Sequence, residues 1–216
     1  MIITYRCSLV FMMAEVPDLQ YVHPFSMVVN GPSGCGKTAW IQKFLDYHMC
    51  KNIDKVVWCY ARWQDSYSAM KNVEFMEGLN GIAKLDRRQR TLVILDDLMS
   101  DVNQSVEDLF IRGRHDNISV IFVTHNFFYK SQPMRTIRLN SKFLVLFNSP
   151  CDTSQVYALG RQLFPGNSKY FASAFEDATD TLYGYLLVDN REGTPKHFRL
   201  WTNIFPNEFP NVYEPI

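Results

Sequence analysis

The chain has 216 residues, of which 47% are hydrophobic and 20% are charged, and its 22 basic and 22 acidic residues give a formal net charge of zero. This composition is typical of a globular protein with a substantial core, and it excludes a generally basic surface, so that any contact with nucleic acid must be local. The five cysteines share no CxxC or zinc-finger spacing, which favours reduced thiols over a zinc site or a disulfide framework.

The first feature in chain order is the apolar stretch MIITYRCSLVFMMAEV. It is similar to a signal peptide but has no small-residue cleavage site, and it is shorter than the ~18 residues that a membrane span needs. We therefore expect neither secretion nor a membrane partner. We interpret residues 1–20 as an extension before a single domain over residues 21–216. Met12 or Met13 is an alternative start, in which case residues 1–11 are upstream translation.

Five short apolar runs follow, and each has the length and the Val, Ile or Phe content of a buried strand. Amphipathic segments with helical spacing lie between them. Strands that alternate with helices predict an α/β three-layer sandwich with a mainly parallel central sheet. The predicted strands are Phe25–Asn30, Lys55–Tyr60, Leu92–Asp96, Val120–Thr124 and Phe143–Phe147.

The first predicted strand runs into GPSGCGKT, which matches the pattern G-x-x-x-x-G-K-[ST]. Glycines let consecutive N–H groups point into one concavity, and the dipole of the following helix adds to their field, so the pattern predicts a P-loop that cradles phosphate. Lys37 is expected to reach the β- and γ-phosphates of ATP, and the Thr38 hydroxyl to bind Mg²⁺. The alternative is a glycine turn with a chance lysine. The residues expected to line the nucleotide are Gly31, Pro32, Ser33, Gly34, Cys35, Gly36, Lys37, Thr38 and Ala39.

The third predicted strand ends in Asp96 and Asp97. Ligands of open α/β sheets bind at the carboxyl ends of strands, so we expect Asp96 to hold Mg²⁺ through water and Asp97 to polarise the water that attacks the γ-phosphate. An ordinary Asp-rich turn is the alternative. A helix and a strand separate this strand from the P-loop strand, which is typical of the P-loop division that uses an additional catalytic acid.

The fourth predicted strand ends in Thr124, His125 and Asn126. A polar side chain at this position can sense the γ-phosphate. Asn126 is the first candidate, with Thr124 and His125 behind it. The alternative is ordinary strand-end polarity that faces solvent.

The last quarter of the chain predicts two helices and a β-hairpin. Asp152 and Gln155 have capping-box spacing at the start of the first helix, and the second helix is expected over Lys169–Ala178. The stretches LYGYLLVD and HFRLW are predicted to pair as a hairpin on the edge of the sheet.

Together these residues resemble the genome-packaging ATPases of Polinton/Maverick elements, adintoviruses and poxvirus-type large DNA viruses, a group within the FtsK/HerA superfamily of P-loop ATPases. The resemblance covers residues 24–208 and depends on the order of several blocks along the chain. After the P-loop these blocks are LVILDDLM, LFIRGRHDNISVIFVTHNFF, RTIRLNSKFLVLFNSPCD, GRQLFP and GYLLVDNREGTPKHFRLWTNIFP.

The resemblance implies a ring of five or six copies that hydrolyses ATP to push double-stranded DNA into a preformed capsid. It implies a capsid or portal-like protein as partner and a location in the host nucleus or a cytoplasmic viral factory, and in the virion. It also implies that an arginine from the neighbouring subunit completes the site. Arg114 and Arg112 are candidates, and the alternative role is that of favourable cations at a helix C-terminus.

The chain departs from the family pattern in three places. Cys151 lies where the family often has an arginine, His125 lies where it often has glutamine, and Arg114-His115-Asp116 lies where it often has Ser-His-His. Two alternatives stay open: a P-loop kinase of a small substrate, and an ATP-binding assembly protein that does not hydrolyse ATP.

Overall fold

The computed structural model describes residues 19–99, 102–126, 132–151 and 153–215. The strands in chain order are β1 (Tyr21–Val22), β2 (Ser26–Asn30), β3 (Cys50–Lys51), β4 (Lys55–Tyr60), β5 (Glu74–Glu77), β6 (Thr91–Asp96), β7 (Ile118–Thr124), β8 (Phe143–Phe147), β9 (Tyr185–Asp189), β10 (Leu200–Thr202) and β11 (Asn211–Tyr213). The helices are α1 (Lys37–Asp46), α2 (Gln104–Arg112), α3 (Gln132–Asn140), α4 (Ser154–Leu163) and α5 (Ser168–Ala178).

Nine strands form one sheet in the order β11-β10-β9-β8-β2-β7-β6-β4-β5, and β1 pairs with β3 separately. The six strands from β8 to β5 are mutually parallel. Strands β9, β10 and β11 continue the sheet in antiparallel fashion. The predicted α/β fold with a mainly parallel sheet is therefore confirmed.

All five predicted strands form, and their ends agree with the sequence prediction to within two residues. The predicted C-terminal hairpin is also confirmed, because β9 pairs with β8 and β10 pairs with β9. Edge strands β5 and β11 were not predicted, since each is short and carries few apolar residues. Strand β7 lies between the P-loop strand β2 and the acid-bearing strand β6, as expected for the predicted division.

The two faces of the sheet carry different layers. One face packs against buried side chains of α2, α3, α4 and α5. The other face packs against α1 and a cluster of aromatic rings, which includes Tyr21, Phe44, Trp58, Tyr67 and Tyr185. The result is the expected three-layer arrangement, with α1 as the helical cover next to the P-loop.

Two sequence predictions fall partly outside the described residues. Residues 1–18 are among those not described, so the N-terminal extension and the division into extension and domain stay predictions. Asp152 of the predicted capping box is likewise not described, and α4 has Thr153 at its N-cap without a side-chain capping bond. Within the ranges given above, no helix is long and apolar enough to cross a membrane.

Candidate functional site

The segment between β2 and α1 forms a tight loop whose glycines are required by its geometry. Gly34 and Gly36 have φ angles of 77° and 100°, in the left-handed region that glycine adopts without strain. A β-carbon on Gly31 would lie 2.7 Å from Cys35 Sγ and from Phe147 Cβ. Gly36 precedes α1 without any side-chain capping bond, so the first N–H groups of this helix are left to face the loop. This is the arrangement that binds phosphate oxygens.

Lys37, the first residue of α1, is buried and folds over the loop. Its Nζ donates hydrogen bonds to the carbonyl oxygens of Gly31 at 2.7 Å and Pro32 at 2.8 Å, and it lies 3.1 Å from Nδ1 of His125. Burial lowers the pKa of Lys37, while Cys35 and the two strand-end acids Asp96 and Asp97 act in the opposite direction. A phosphate oxygen would compete with these acceptors for the same three ammonium protons.

His125 links the P-loop lysine to Asp97. Its Nε2 lies 3.3 Å from Oδ1 of Asp97, and its Nδ1 faces the Lys37 ammonium. Because the ammonium can only donate, Nδ1 acts as the acceptor and the proton of the neutral ring is assigned to Nε2, from which it points to Asp97. The carbonyl oxygen of Gly31, 3.2 Å from Nδ1, accepts from the same ammonium. The three side chains therefore form one chain of hydrogen bonds at the mouth of the loop.

Asp96 is the buried acid of the pair. It is only 4% exposed, and its Oδ2 accepts a hydrogen bond from the hydroxyl of Tyr67 at 2.8 Å. Burial raises the pKa of Asp96, and both the Tyr67 hydrogen bond and the Lys37 charge oppose that rise. A carboxylate at the carboxyl edge of the sheet is the type of oxygen donor that Mg²⁺ prefers.

Asp97 is the accessible acid, with a side chain that is 54% exposed. Its backbone has φ 56°, a left-handed conformation that aspartate tolerates better than most residues. This conformation follows directly on strand β6 and turns the carboxylate away from the burial that Asp96 experiences. The two neighbouring acids therefore have different environments, which suits one for a metal and the other for water.

Thr38 and Asp96 carry the type of oxygen donor that a magnesium site needs. Both carry oxygen donors, and both lie at the carboxyl edge of the sheet, since Asn30 at the end of β2 pairs with Thr124 and the adjacent Val123 pairs with Asp96. Two strand spacings separate β2 from β6, which is about 10 Å. Bound there, Mg²⁺ would neutralise charge on the β- and γ-phosphates. No cluster of three or more His, Cys, Asp or Glu side chains arranged for a metal occurs in the described ranges.

The predicted sensor residues lie at the end of β7, and they differ in their hydrogen-bond partners. The Thr124 hydroxyl donates to Met99 Sδ at 2.8 Å, and the Asn126 N–H donates back to Thr124 Oγ1 at 3.2 Å. His125, which the sequence ranked behind Asn126, makes the contacts with Lys37 and Asp97. The role of Asn126 as γ-phosphate sensor stays a prediction, and the geometry favours His125 as the residue that faces the loop.

The remaining P-loop residues lie along the same turn. Ser33, Gly34 and Ala39 are exposed, whereas Pro32 and Thr38 are half-buried. Burial raises the pKa of the Cys35 thiol, and the nearby Lys37 charge only partly offsets this. The thiol therefore stays protonated at neutral pH.

Arg112 and Arg114 lie at the opposite edge of the sheet. Arg112 ends α2, and Arg114 belongs to the 3-10 turn Gly113–Asp116 that precedes β7. The N–H of Thr91, the first residue of β6, donates to the carbonyl of Asn117 at 3.0 Å, so this turn lies at the amino ends of the strands. Seven residues of β7 separate it from the carboxyl edge, a distance of ~20 Å. Neither arginine reaches the P-loop of its own subunit, and a role of Arg114 in a neighbouring site stays a prediction.

Two tyrosines at the site were not predicted from the sequence. The hydroxyl of Tyr67 donates a hydrogen bond to Asp96. Tyr183 lies against the P-loop, because a β-carbon on Gly36 would come within 3.0 Å of its Cδ1. Both are far from the motif in sequence, and neither carries a pattern from which the contact could be foreseen.

No protein-family model and no curated protein sequence matches this chain. Among solved structures, the DNA-packaging ATPase B204 from Sulfolobus turreted icosahedral virus superposes with a TM-score of 0.58 and 14% identity, over 90% of this chain and 99% of that one. The genome-packaging NTPase B204 from Sulfolobus turreted icosahedral virus 2, in complex with ATP-γ-S, gives a TM-score of 0.54 and 12% identity, over 89% and 98% of the two chains.

The cytoplasmic domain of EssC is also similar, with a TM-score of 0.50 and 14% identity. The alignment covers 88% of this chain but 40% of the EssC chain. At these identities the similarity establishes the fold, which is that of a P-loop NTPase.

Proposed function

We propose that this protein is an ATP-hydrolysing motor subunit of the FtsK/HerA type that translocates double-stranded DNA into a viral capsid. The observation that carries the proposal is the joint placement of the P-loop, Asp96 and Asp97 at one edge of a sheet in which β7 separates the P-loop strand from the acid-bearing strand. With this strand order we assign the second acid, Asp97, the role of polarising the attacking water next to the metal-binding carboxylate of Asp96.

The binding part of the proposal concerns ATP and Mg²⁺. The loop amides and the α1 N-terminus would hold the phosphates, Lys37 would move from the carbonyls of Gly31 and Pro32 onto phosphate oxygens, and Thr38 and Asp96 would hold the metal. The fold similarity to B204 in complex with ATP-γ-S supports nucleotide binding here.

The catalytic part of the proposal concerns Asp97. Its exposed carboxylate can accept a hydrogen bond from the attacking water and orient it toward the γ-phosphate. His125 donates to the same carboxylate and accepts from Lys37, so it is placed to respond when Lys37 changes partners. An arginine from a neighbouring subunit, with Arg114 as candidate, would supply the remaining positive charge.

The motor part of the proposal comes from the resemblance in sequence blocks and from the fold similarity to two B204 proteins described as genome-packaging enzymes. We propose a homo-oligomeric ring, a capsid or portal-like partner, and a location in the host nucleus or a cytoplasmic viral factory and the virion. The Polinton/Maverick, adintovirus and poxvirus-type group is the one that the sequence blocks favour.

The test is steady-state ATP hydrolysis by the full chain, with and without linear double-stranded DNA, beside Lys37→Ala. We expect turnover that rises with DNA and falls at least about a hundredfold in the variant, because the lysine charge on the γ-phosphate is lost. Turnover that is indifferent to DNA, while still dependent on Lys37, would contradict the motor and favour a kinase of a small substrate. ATP binding without turnover would favour the assembly protein.

A further inference from the structure

The loop between α5 and β9 places one aromatic ring on the P-loop. Tyr183 packs against the backbone of Gly36, where a β-carbon would meet Cδ1 at 3.0 Å and both Cβ and Cγ at 3.5 Å. The ring nevertheless remains 60% exposed, and its neighbour Leu182 is 83% exposed. Core packing therefore does not account for the position of this ring.

The backbone of this loop is fixed in an unusual shape. Tyr183 has φ 63°, a left-handed conformation that aromatic residues rarely adopt. The N–H of Gly184 donates to the carbonyl of Thr181 at 2.9 Å, and a β-carbon on Gly184 would lie 2.5 Å from the carbonyl oxygen of Ala178. Such strained positions are concentrated at ligand sites, because the rest of the fold must hold them there.

The strand order tells on which side of the P-loop a nucleoside would lie. The polar groups that would face the terminal phosphate, Asp96, Asp97 and His125, follow β6 and β7 on one side of β2. Tyr183 precedes β9, which together with β8 lies on the other side of β2. A nucleotide whose γ-phosphate lies on the side of β6 and β7 would direct its ribose and base along the P-loop toward β8 and β9.

We propose that Tyr183 forms the nucleobase subsite and that its ring stacks on a purine base. This inference rests on the proposed function, since it places the base of the nucleotide whose phosphates the P-loop would hold. An exposed aromatic face favours flat π-systems and contacts the face of the base instead of its hydrogen-bonding edge. Purines, with two fused rings, offer more stacking area than pyrimidines.

The experiment is isothermal titration calorimetry on the full chain with Mg²⁺, using ATP-γ-S and, separately, inorganic tripolyphosphate, which has no base. Tyr183→Asn removes the ring while keeping a residue that tolerates the left-handed backbone. Tyr183→Phe keeps the ring, and Leu182→Ala is the matched control in the same loop.

We expect Tyr183→Asn to weaken ATP-γ-S binding about tenfold or more and to leave tripolyphosphate binding unchanged. Tyr183→Phe and Leu182→Ala should bind both ligands like the wild type. Unchanged ATP-γ-S affinity in Tyr183→Asn would overturn the subsite, as would an equal loss for both ligands, which would show that the ring only supports the loop. If the wild type binds neither ligand, the proposed function itself fails, and that outcome is separate from the first two.

Discussion

The two flanks of strand β2 differ in chemistry, although both border the same P-loop. On the side of β7 and β6, the strands are followed or ended by titratable side chains, which are Asp96, Asp97 and His125. On the side of β8 and β9, the neighbouring side chains are aromatic, with Phe147 beside Gly31 and Tyr183 beside Gly36. Under the proposal above, the first flank would contact the reacting phosphates and the second would contact the nucleoside.

Two buried aspartates at opposite edges of the sheet differ in how they are paired, since Asp96 ends β6 at the P-loop edge and Asp189 pairs with Phe143 at the other edge. Asp189 at the end of β9 is 1% exposed, and it accepts hydrogen bonds from Arg191, in an ion pair of 2.6 Å, and from the hydroxyl of Thr194. Asp96 is similarly buried, it accepts a hydrogen bond from the Tyr67 hydroxyl, and burial raises its pKa. Among the residues that the structure describes, Asp189 has an ionic partner and Asp96 has none within ion-pair distance.

The largest expected effect on ATP turnover comes from Asp97→Asn, which changes a carboxylate on the flank formed by β7 and β6. Asparagine tolerates the φ of 56° at this position, so the backbone should be preserved. Because the amide cannot act as a base toward water, we expect kcat for ATP to fall at least about a hundredfold with little change in ATP-γ-S affinity.

Asp54→Asn is the control for this experiment. Asp54 pairs with Arg90 next to the amino end of β4, at the edge of the sheet away from the P-loop, and its loss should leave kcat unchanged. Wild-type turnover in Asp97→Asn would show that another group orients the water.

A smaller effect is expected from Tyr67→Phe, which removes the hydrogen bond from the Tyr67 hydroxyl to Asp96. That bond lowers the pKa of Asp96, so its loss raises the pKa further and reduces the fraction of ionised carboxylate. We expect turnover on the acid limb of the pH–rate profile to fall about fivefold, and this limb to move to higher pH. Tyr170→Phe, which loses a bond to the carbonyl of Tyr213, is the matched control, and an unmoved acid limb in Tyr67→Phe would contradict the positioning role.

The smallest effect concerns stability and uses the two buried aspartates. Because the pKa of Asp96 is raised in the folded state, the folded protein binds this proton more tightly than the unfolded chain, and the ionised carboxylate destabilises the fold at neutral pH. Asp96→Asn should therefore raise Tm by about 2–4 °C at pH 7, and the gain should vanish below ~pH 4, where both states are protonated.

Asp189→Asn is expected to lower the stability of the fold. It leaves Arg191 without its ionic partner, so we expect the free energy of unfolding to fall by about 2 kcal/mol. The measurement for both variants is thermal unfolding as a function of pH. A loss of stability in both would show that Asp96 is as well paired as Asp189.

The sequence predicted the elements whose signal is local. The P-loop, the five strands and the acid pair each lie within a few consecutive residues, and backbone geometry follows directly from those residues. What could not be predicted depends on tertiary placement. Tyr67 and Tyr183 reach the site through loops far from the motif. The contact between His125 and Lys37 depends on how β7 packs beside the P-loop strand β2.

The most direct test compares kcat and nucleotide affinity in Asp97→Asn and Tyr183→Asn side by side. If one flank of β2 acts in turnover and the other in nucleoside binding, the two variants change different constants. Asp97→Asn then lowers kcat and leaves the Kd for ATP-γ-S unchanged. Tyr183→Asn raises this Kd and leaves kcat at saturating ATP unchanged. If both variants change the same quantity, the division between a phosphate flank and a nucleoside flank is wrong.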